Sequence, residues 1–140
     1  MRELVVFDTN VFVSYLLPSK QISAVKLAVD KIFDKSAIPV FSMATMSEYE
    51  GVLSRKKFGF SSEEIFTLLD FVCENGQCVK PEATPIFFTD PTDKPFYDAA
   101  VAAGAWLVTG NKRHFPSEGF IVTAREYLEC TGVARVGGVC

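Results

Sequence analysis

Residues 4–10 read Leu4-Val5-Val6-Phe7-Asp8-Thr9-Asn10, a continuous apolar run rich in β-branched residues that stops at a polar triplet. A strand that is apolar at every position, rather than at alternate ones, is one covered on both faces. The run therefore predicts a parallel strand inside a sheet flanked by helices. That strand ends on a carboxylate, Asp8.

Working outward, the spacing of Ala24, Leu27, Ala28 and Ile32 predicts a helix from about Ser23 to Phe33. Ile38-Pro39-Val40-Phe41 then supplies a second strand, completing a βαβ start. Ser42 is placed to cap a helix carrying Met43, Met46, Val52 and Leu53 on its apolar side and fading near 55–59. Ser61-Ser62-Glu63-Glu64 is a helix start with acids in the first turn, and Ile65, Phe66, Leu68, Leu69 and Val72 carry its apolar face to Asn75-Gly76. A short strand over 77–79 follows. Asp93 and Pro95 open the next helix, as a cap and a first-turn proline, with Phe96, Ala99, Ala100 and Ala103 buried and Gly104 ending it. Ala105 to Val108 is another buried strand, closed by Thr109-Gly110-Asn111. Phe120 to Val122 is a last strand and Thr123 to Leu128 a last helix. The alternation predicts a three-layer α/β/α sandwich around a mainly parallel sheet. Phe66, Phe71 and Phe96 are expected in the core.

The chain has 140 residues, 49% of them hydrophobic, enough for one continuous core and too few for two full domains. One domain over 1–132 with a tail over 133–140 is the expected division. The net charge of −3 and a pI near 5.2 exclude a globally basic nucleic-acid module, so any such contact is local. Arg55-Lys56-Lys57 and Lys112-Arg113-His114 are the two short basic runs available. The cysteines, Cys73, Cys78, Cys130 and Cys140, lack C-x-x-C spacing, and one His cannot complete a Cys2His2 zinc site, so reduced thiols are expected. The opening apolar run is too short for a signal core or a membrane span, and a cytoplasmic location is the expectation.

In open parallel sheets, ligands gather beyond the carboxyl ends of the strands. The residues there are acidic or amide: Asp8 after the first strand, Glu48 in the helix after the second, Asp93 before the Trp106 strand and Asn111 after it. Several carboxylates at one rim repel each other unless a cation offsets them, and hard oxygen ligands favour Mg2+ or Mn2+. Such an ion can lower the pKa of a bound water and stabilise charge on a phosphoryl group. Each residue also has a plain structural reading. Asp8 with Asn10 could form an Asx turn, Asp93 could be a helix cap, and Glu48, which has a near rival in Glu50, could be solvated surface. Their joint placement at one rim is what favours the metal. His114, beside Lys112 and Arg113, is read as a loop phosphate contact or an exposed residue.

These residues resemble the PIN-domain family, and within it the toxins similar to VapC. Val5-Val6-Phe7-Asp8-Thr9-Asn10-Val11 looks like the family's first motif, with Asp8 as metal ligand and Asn10 ordering the site. Glu48-Tyr49-Glu50-Gly51-Val52-Leu53-Ser54-Arg55 looks like the second, and its register selects Glu48 over Glu50. Asp90-Pro91-Thr92-Asp93-Lys94-Pro95-Phe96 resembles the third, with Asp93 in the acid position. Leu107-Val108-Thr109-Gly110-Asn111 resembles the fourth, ending in Asn111 where many members have Asp. The resemblance runs from about Val5 to Leu128. It implies cleavage of single-stranded RNA through Mg2+ or Mn2+, a homodimer, and inhibition by a cognate antitoxin protein. It makes Asp8, Glu48 and Asp93 the metal ligands, puts Asn111 at the edge of the same catalytic site, and has Thr109 orient Asp8 by a hydrogen bond.

Asn111 is neutral, and Lys112-Arg113-His114 stands where related toxins often carry a further acid. One firmly held ion is therefore expected, with a second left open. The alternative is a PIN-like module that binds RNA or protein with weak or no catalysis. Phosphatase and receiver chemistries fit less well: Asn10 stands where a haloacid-dehalogenase-type enzyme needs a second Asp, and there are no adjacent acids after the first strand. No G-x-x-x-x-G-K-[ST] or G-x-G-x-x-G loop is present.

Overall fold

In the computed structural model, which describes residues 3–18 and 21–131, the opening apolar run forms strand β1, Glu3–Phe7, with Val5, Val6 and Phe7 buried. The expected tail over 133–140 lies outside the described residues. β1 is followed at once by helix α1, Thr9–Leu16, and then by α2, Ala24–Phe33, strand β2, Ala37–Phe41, and helix α3, Met43–Leu53. Helix α4, Ser62–Asn75, leads into the two-residue strand β3, Gln77–Cys78. Helix α5, Lys94–Ala103, strand β4, Trp106–Val108, strand β5, Ile121–Val122, and helix α6, Ala124–Thr131, complete the order.

The five strands among the described residues are all parallel, in the order β3-β2-β1-β4-β5. Residues 3, 5 and 7 of β1 point to one face, as a two-residue period requires. There Phe7 meets Tyr127 of α6, and Lys31 of α2 and Tyr127 hold Glu3. Helix α4 joins the same layer through Phe71, which packs on Phe33 of α2 at 4.6 Å between ring centres. α5 lies across β1, β2 and β4 on the opposite face. The sheet is thus the middle of three layers. The chain leaves β1 toward one edge and returns from β3 to the other side of β1, which makes the β1–β4 junction the topological switch point.

Local chemistry explains the helix boundaries. Ser42 and Thr45 form a reciprocal capping box on α3, and Ser61 with Glu64 forms one on α4. Gly104 closes α5 in the left-handed conformation, φ 64°. Gly76, which ends α4, is needed for space: a Cβ there would stand 2.4 Å from the Val72 carbonyl oxygen and 2.5 Å from that of Pro39.

Three expectations change. Phe66 is 67% exposed, because the buried stripe of α4 is Leu68, Leu69 and Val72 with Ile65 beside it, and Phe66 lies about 100° round the helix from Ile65. Met43 and Leu27 are also exposed, Met43 in the first turn of α3 and Leu27 beside the Ala28, Val29 and Ile32 stripe of α2. Helix α1, whose Val11, Phe12 and Val13 are buried, replaces the polar turn expected after Asp8. Cys73 and Cys78 carry no disulfide. No described helix is long and apolar enough to cross a membrane.

Candidate active site

The register of β1 against β4 builds the centre of the site. Phe7 pairs with Val108, the Asp8 amide donates to the Val108 carbonyl at 2.9 Å, and so Asp8 stands beside Thr109 just past the strand ends. Thr109 Oγ1 donates to Asp8 Oδ2 at 2.8 Å, the hydrogen bond expected between these two residues. The same hydroxyl oxygen accepts from the Asn111 backbone N–H at 3.0 Å and fixes the loop that follows. Asp8 is 5% exposed and Thr109 fully buried. Burial raises the Asp8 carboxyl above its ordinary pKa, while the Thr109 hydroxyl and the Thr9 and Asn10 backbone N–H groups pull the other way. Those N–H groups open α1, where an anionic side chain is favoured.

Asp93 reaches the same place from the α5 side. An Asx turn shapes its approach, with Asp90 Oδ1 accepting from the Thr92 N–H and hydroxyl. Asp93 occupies the cap position of α5, yet its side chain makes no capping hydrogen bond, so the expectation that it caps the helix is not met. Its Oδ2 is instead buried without a well-formed hydrogen bond among the described residues. His114 Nδ1 lies 3.4 Å from that oxygen, a long contact that attracts it without the geometry of a full hydrogen bond. Burial, then the charge of Asp8, then that of Asp90 push the Asp93 carboxyl up to about 6, against the opposing pull of His114. Asp8 and Asp93 are therefore two carboxylates that sense each other, the first buried and the second partly buried.

Asn111 follows β4 and is half-buried, and its Nδ2 stands 3.0 Å from His114 Nε2. An imidazole carrying its proton on Nδ1 suits both neighbours, accepting from Asn111 and facing Asp93. His114 is thus a member of the site that the sequence reading set aside. The signal was its spacing: Asn111 opens a 3-10 turn, Lys112–His114, which brings residue 114 back over residue 111. Asn10 is exposed at the mouth of the site.

Glu48 is carried on α3, half-buried, whereas its rival Glu50 is exposed. Its neighbour Tyr49 is buried and donates its hydroxyl to the Phe7 carbonyl, which docks α3 on the end of β1. Glu48 itself makes no hydrogen bond or ion pair among the described residues. Nor do any three His, Cys, Asp or Glu side chains among them form a ready cluster for a metal ion. The structure brings together Asp8, Asp93, Thr109, Asn111 and His114, with Glu48 on the adjoining helix.

The donor set nonetheless fits a hard divalent cation. Two carboxylates of raised pKa and one buried, unsatisfied carboxylate oxygen are what a cation would neutralise. Mg2+ binds through one or two carboxylates while keeping several waters.

A sequence profile of the PIN domain matches residues 4–113, more than three quarters of the chain. The chain belongs to the PIN-domain family, whose members are generally nucleases and typically use divalent metals. A comparison with curated proteins found no match.

Proposed function

We propose that this protein is a Mg2+- or Mn2+-dependent endoribonuclease that cuts single-stranded RNA. The observation that carries the reading is the Asp8–Asp93 pair, in particular the buried Oδ2 of Asp93, which among the described residues has only the long contact from His114. Asp8 and Asp93 would hold the ion, with Glu48 completing the set directly or through water. A bound ion would supply hydroxide at neutral pH and offset charge on the phosphoryl group. Thr109 fixes the rotamer of Asp8 so that its carboxylate is oriented before any ligand arrives. His114 and Asn111 form the outer wall on the Asp93 side.

The role as toxin of a toxin–antitoxin pair, with a cognate antitoxin, a homodimeric state and a cytoplasmic RNA target, rests on the resemblance of the four motifs to VapC-like toxins. A second reading, a PIN-like module that binds RNA or protein with weak or no catalysis, is favoured by Asn111, which is neutral and has its amide turned to His114. Labelled single-stranded RNA incubated with Mg2+ or Mn2+ separates the two. The nuclease reading expects metal-dependent cleavage by the wild type and none by Asp8→Asn, while cleavage by neither protein would support the binding module.

A further inference from the structure

Beside Thr109, which holds Asp8, a cleft of about 490 Å3 with both polar and apolar walls opens between α1, the loop after β4 and the start of α6. Its volume is within the range of small-ligand pockets, enough for one nucleotide unit. Asn10, Ser14, Thr109, Asn111, Thr123 and Arg125 supply its polar lining. Two of these tie it to the site: the Thr109 hydroxyl holds Asp8, and Asn111 faces His114. Val11 and Val25 add an apolar wall.

The charge distribution of this cleft is unusual for an acidic chain. Of the described residues lining it, Arg125 alone is charged. The nearby Lys112 is paired with Glu126 at 3.1 Å, and Glu126 is also engaged by the Thr123 N–H at 2.8 Å in the cap of α6. Arg125, exposed, forms no ion pair among the described residues. A polyanion approaching Asp8 and Asp93 meets repulsion there, and an unpaired guanidinium one cleft away offers the counter-charge. Its planar fork of donors matches a phosphodiester group.

Resting on the ribonuclease reading above, we infer that this cleft binds the RNA nucleotide adjoining the scissile bond, with Arg125 contacting its phosphate and the Asn10, Ser14 and Thr123 side chains around its sugar. Arg125 is then a binding residue that sets where the strand lies relative to Asp8 and Asp93.

The test uses the full chain carrying Asp8→Asn, to suppress cutting, and measures binding of a fluorescein-labelled single-stranded RNA by anisotropy across a salt series, with and without Arg125→Ala. Removing one phosphate contact is expected to weaken binding about fivefold and to reduce the salt slope by about 0.7, the increment for one contact on a single strand. A neutral methylphosphonate at the linkage beside the cut should weaken binding to the protein with Arg125 and have no further effect once Arg125 is Ala. Circular dichroism checks that the exposed substitution leaves the fold intact. Equal affinity, salt slope and methylphosphonate response with and without Arg125, in a protein that does bind RNA, would overturn the cleft assignment and leave the nuclease reading standing. Absence of RNA binding by the Asp8→Asn protein, together with absence of cleavage by the wild type, would remove both.

Discussion

Strand β1 carries an acid at each end, and the two are treated differently. Glu3, at the start, is paired with Lys31 and accepts the Tyr127 hydroxyl, and Lys31 also reaches Thr131, so α2, α6 and β1 are joined through a satisfied network. Asp8, at the end, is more deeply buried, and among the described residues its charged neighbourhood is a second acid, Asp93, opposed by the exposed His114. Where this fold needs a carboxylate for structure it supplies a lysine; at the switch point of the sheet two carboxylates have no lysine or arginine partner among the described residues. Unpaired buried charge costs stability, and the proposal that this rim takes a cation from solution rests on that cost.

The largest way to sharpen the contrast is to remove the acids singly. Asp8→Asn or Asp93→Asn is expected to abolish metal-dependent RNA cleavage, measured on labelled RNA, while the metal-free melting temperature stays the same or rises because repulsion is relieved. A large fall in melting temperature would make these residues structural, like Glu3. Thr109→Val, which removes the hydroxyl that holds Asp8, should lower activity or metal affinity about 10- to 100-fold, as loss of a ligand-orienting group does. It should also cost about 1 kcal/mol of stability for the lost buried hydrogen bonds. Lys31→Met should do the opposite at the other end of the strand: a loss of about 1–2 kcal/mol in denaturant unfolding, since Glu3 is left partly buried and unpaired, with RNA cleavage retained.

A smaller effect is expected in the pH dependence of stability. Asp93 is raised from its ordinary 3.8 to about 6 in the folded chain. The folded state therefore binds the proton more tightly than the unfolded one. The resulting stabilisation is fully present below the unfolded pKa and is lost as pH rises through about 6. Solvent screening of this partly exposed group limits it to about 1 kcal/mol. Melting of the metal-free protein should accordingly drop between about pH 4 and 6, and Asp93→Asn should flatten that drop. Apparent Mn2+ affinity should move the other way and weaken below about pH 6, because the ion and the proton compete for the same carboxylate.

Much of the fold could be read from the chain because local and global signals agreed. The unbroken apolar run at 4–7, the Ser42 and Ser61 caps and Gly104 each specify the element that forms there. Helix α1 was hidden because Thr9, Val11 and Val13 are β-branched and Asp8-Thr9-Asn10 reads as a turn; packing of Val11, Phe12 and Val13 overrides those preferences. Phe66 misled because periodicity tolerates one large apolar residue at the flank of a stripe, and the sequence cannot say which flank faces the core. At the site, the residues after β1 and β4 were legible from topology alone. That the Asp93 side chain leaves its cap position and that His114 folds back over Asn111 depend on turn geometry, which spacing does not specify. Glu48 is the least determined of the set, since a helix position gives the face and not the reach of a long side chain.

The central claim is that Asp8 and Asp93 together anchor one divalent cation. A crystal of the full chain soaked in Mn2+ tests it directly by anomalous scattering. The account predicts a single strong peak with carboxylate oxygens of both residues about 2.1 Å away or joined to it through one water, and Thr109 still bonded to Asp8. No peak at that rim under saturating Mn2+, or a peak touching neither residue, would contradict it.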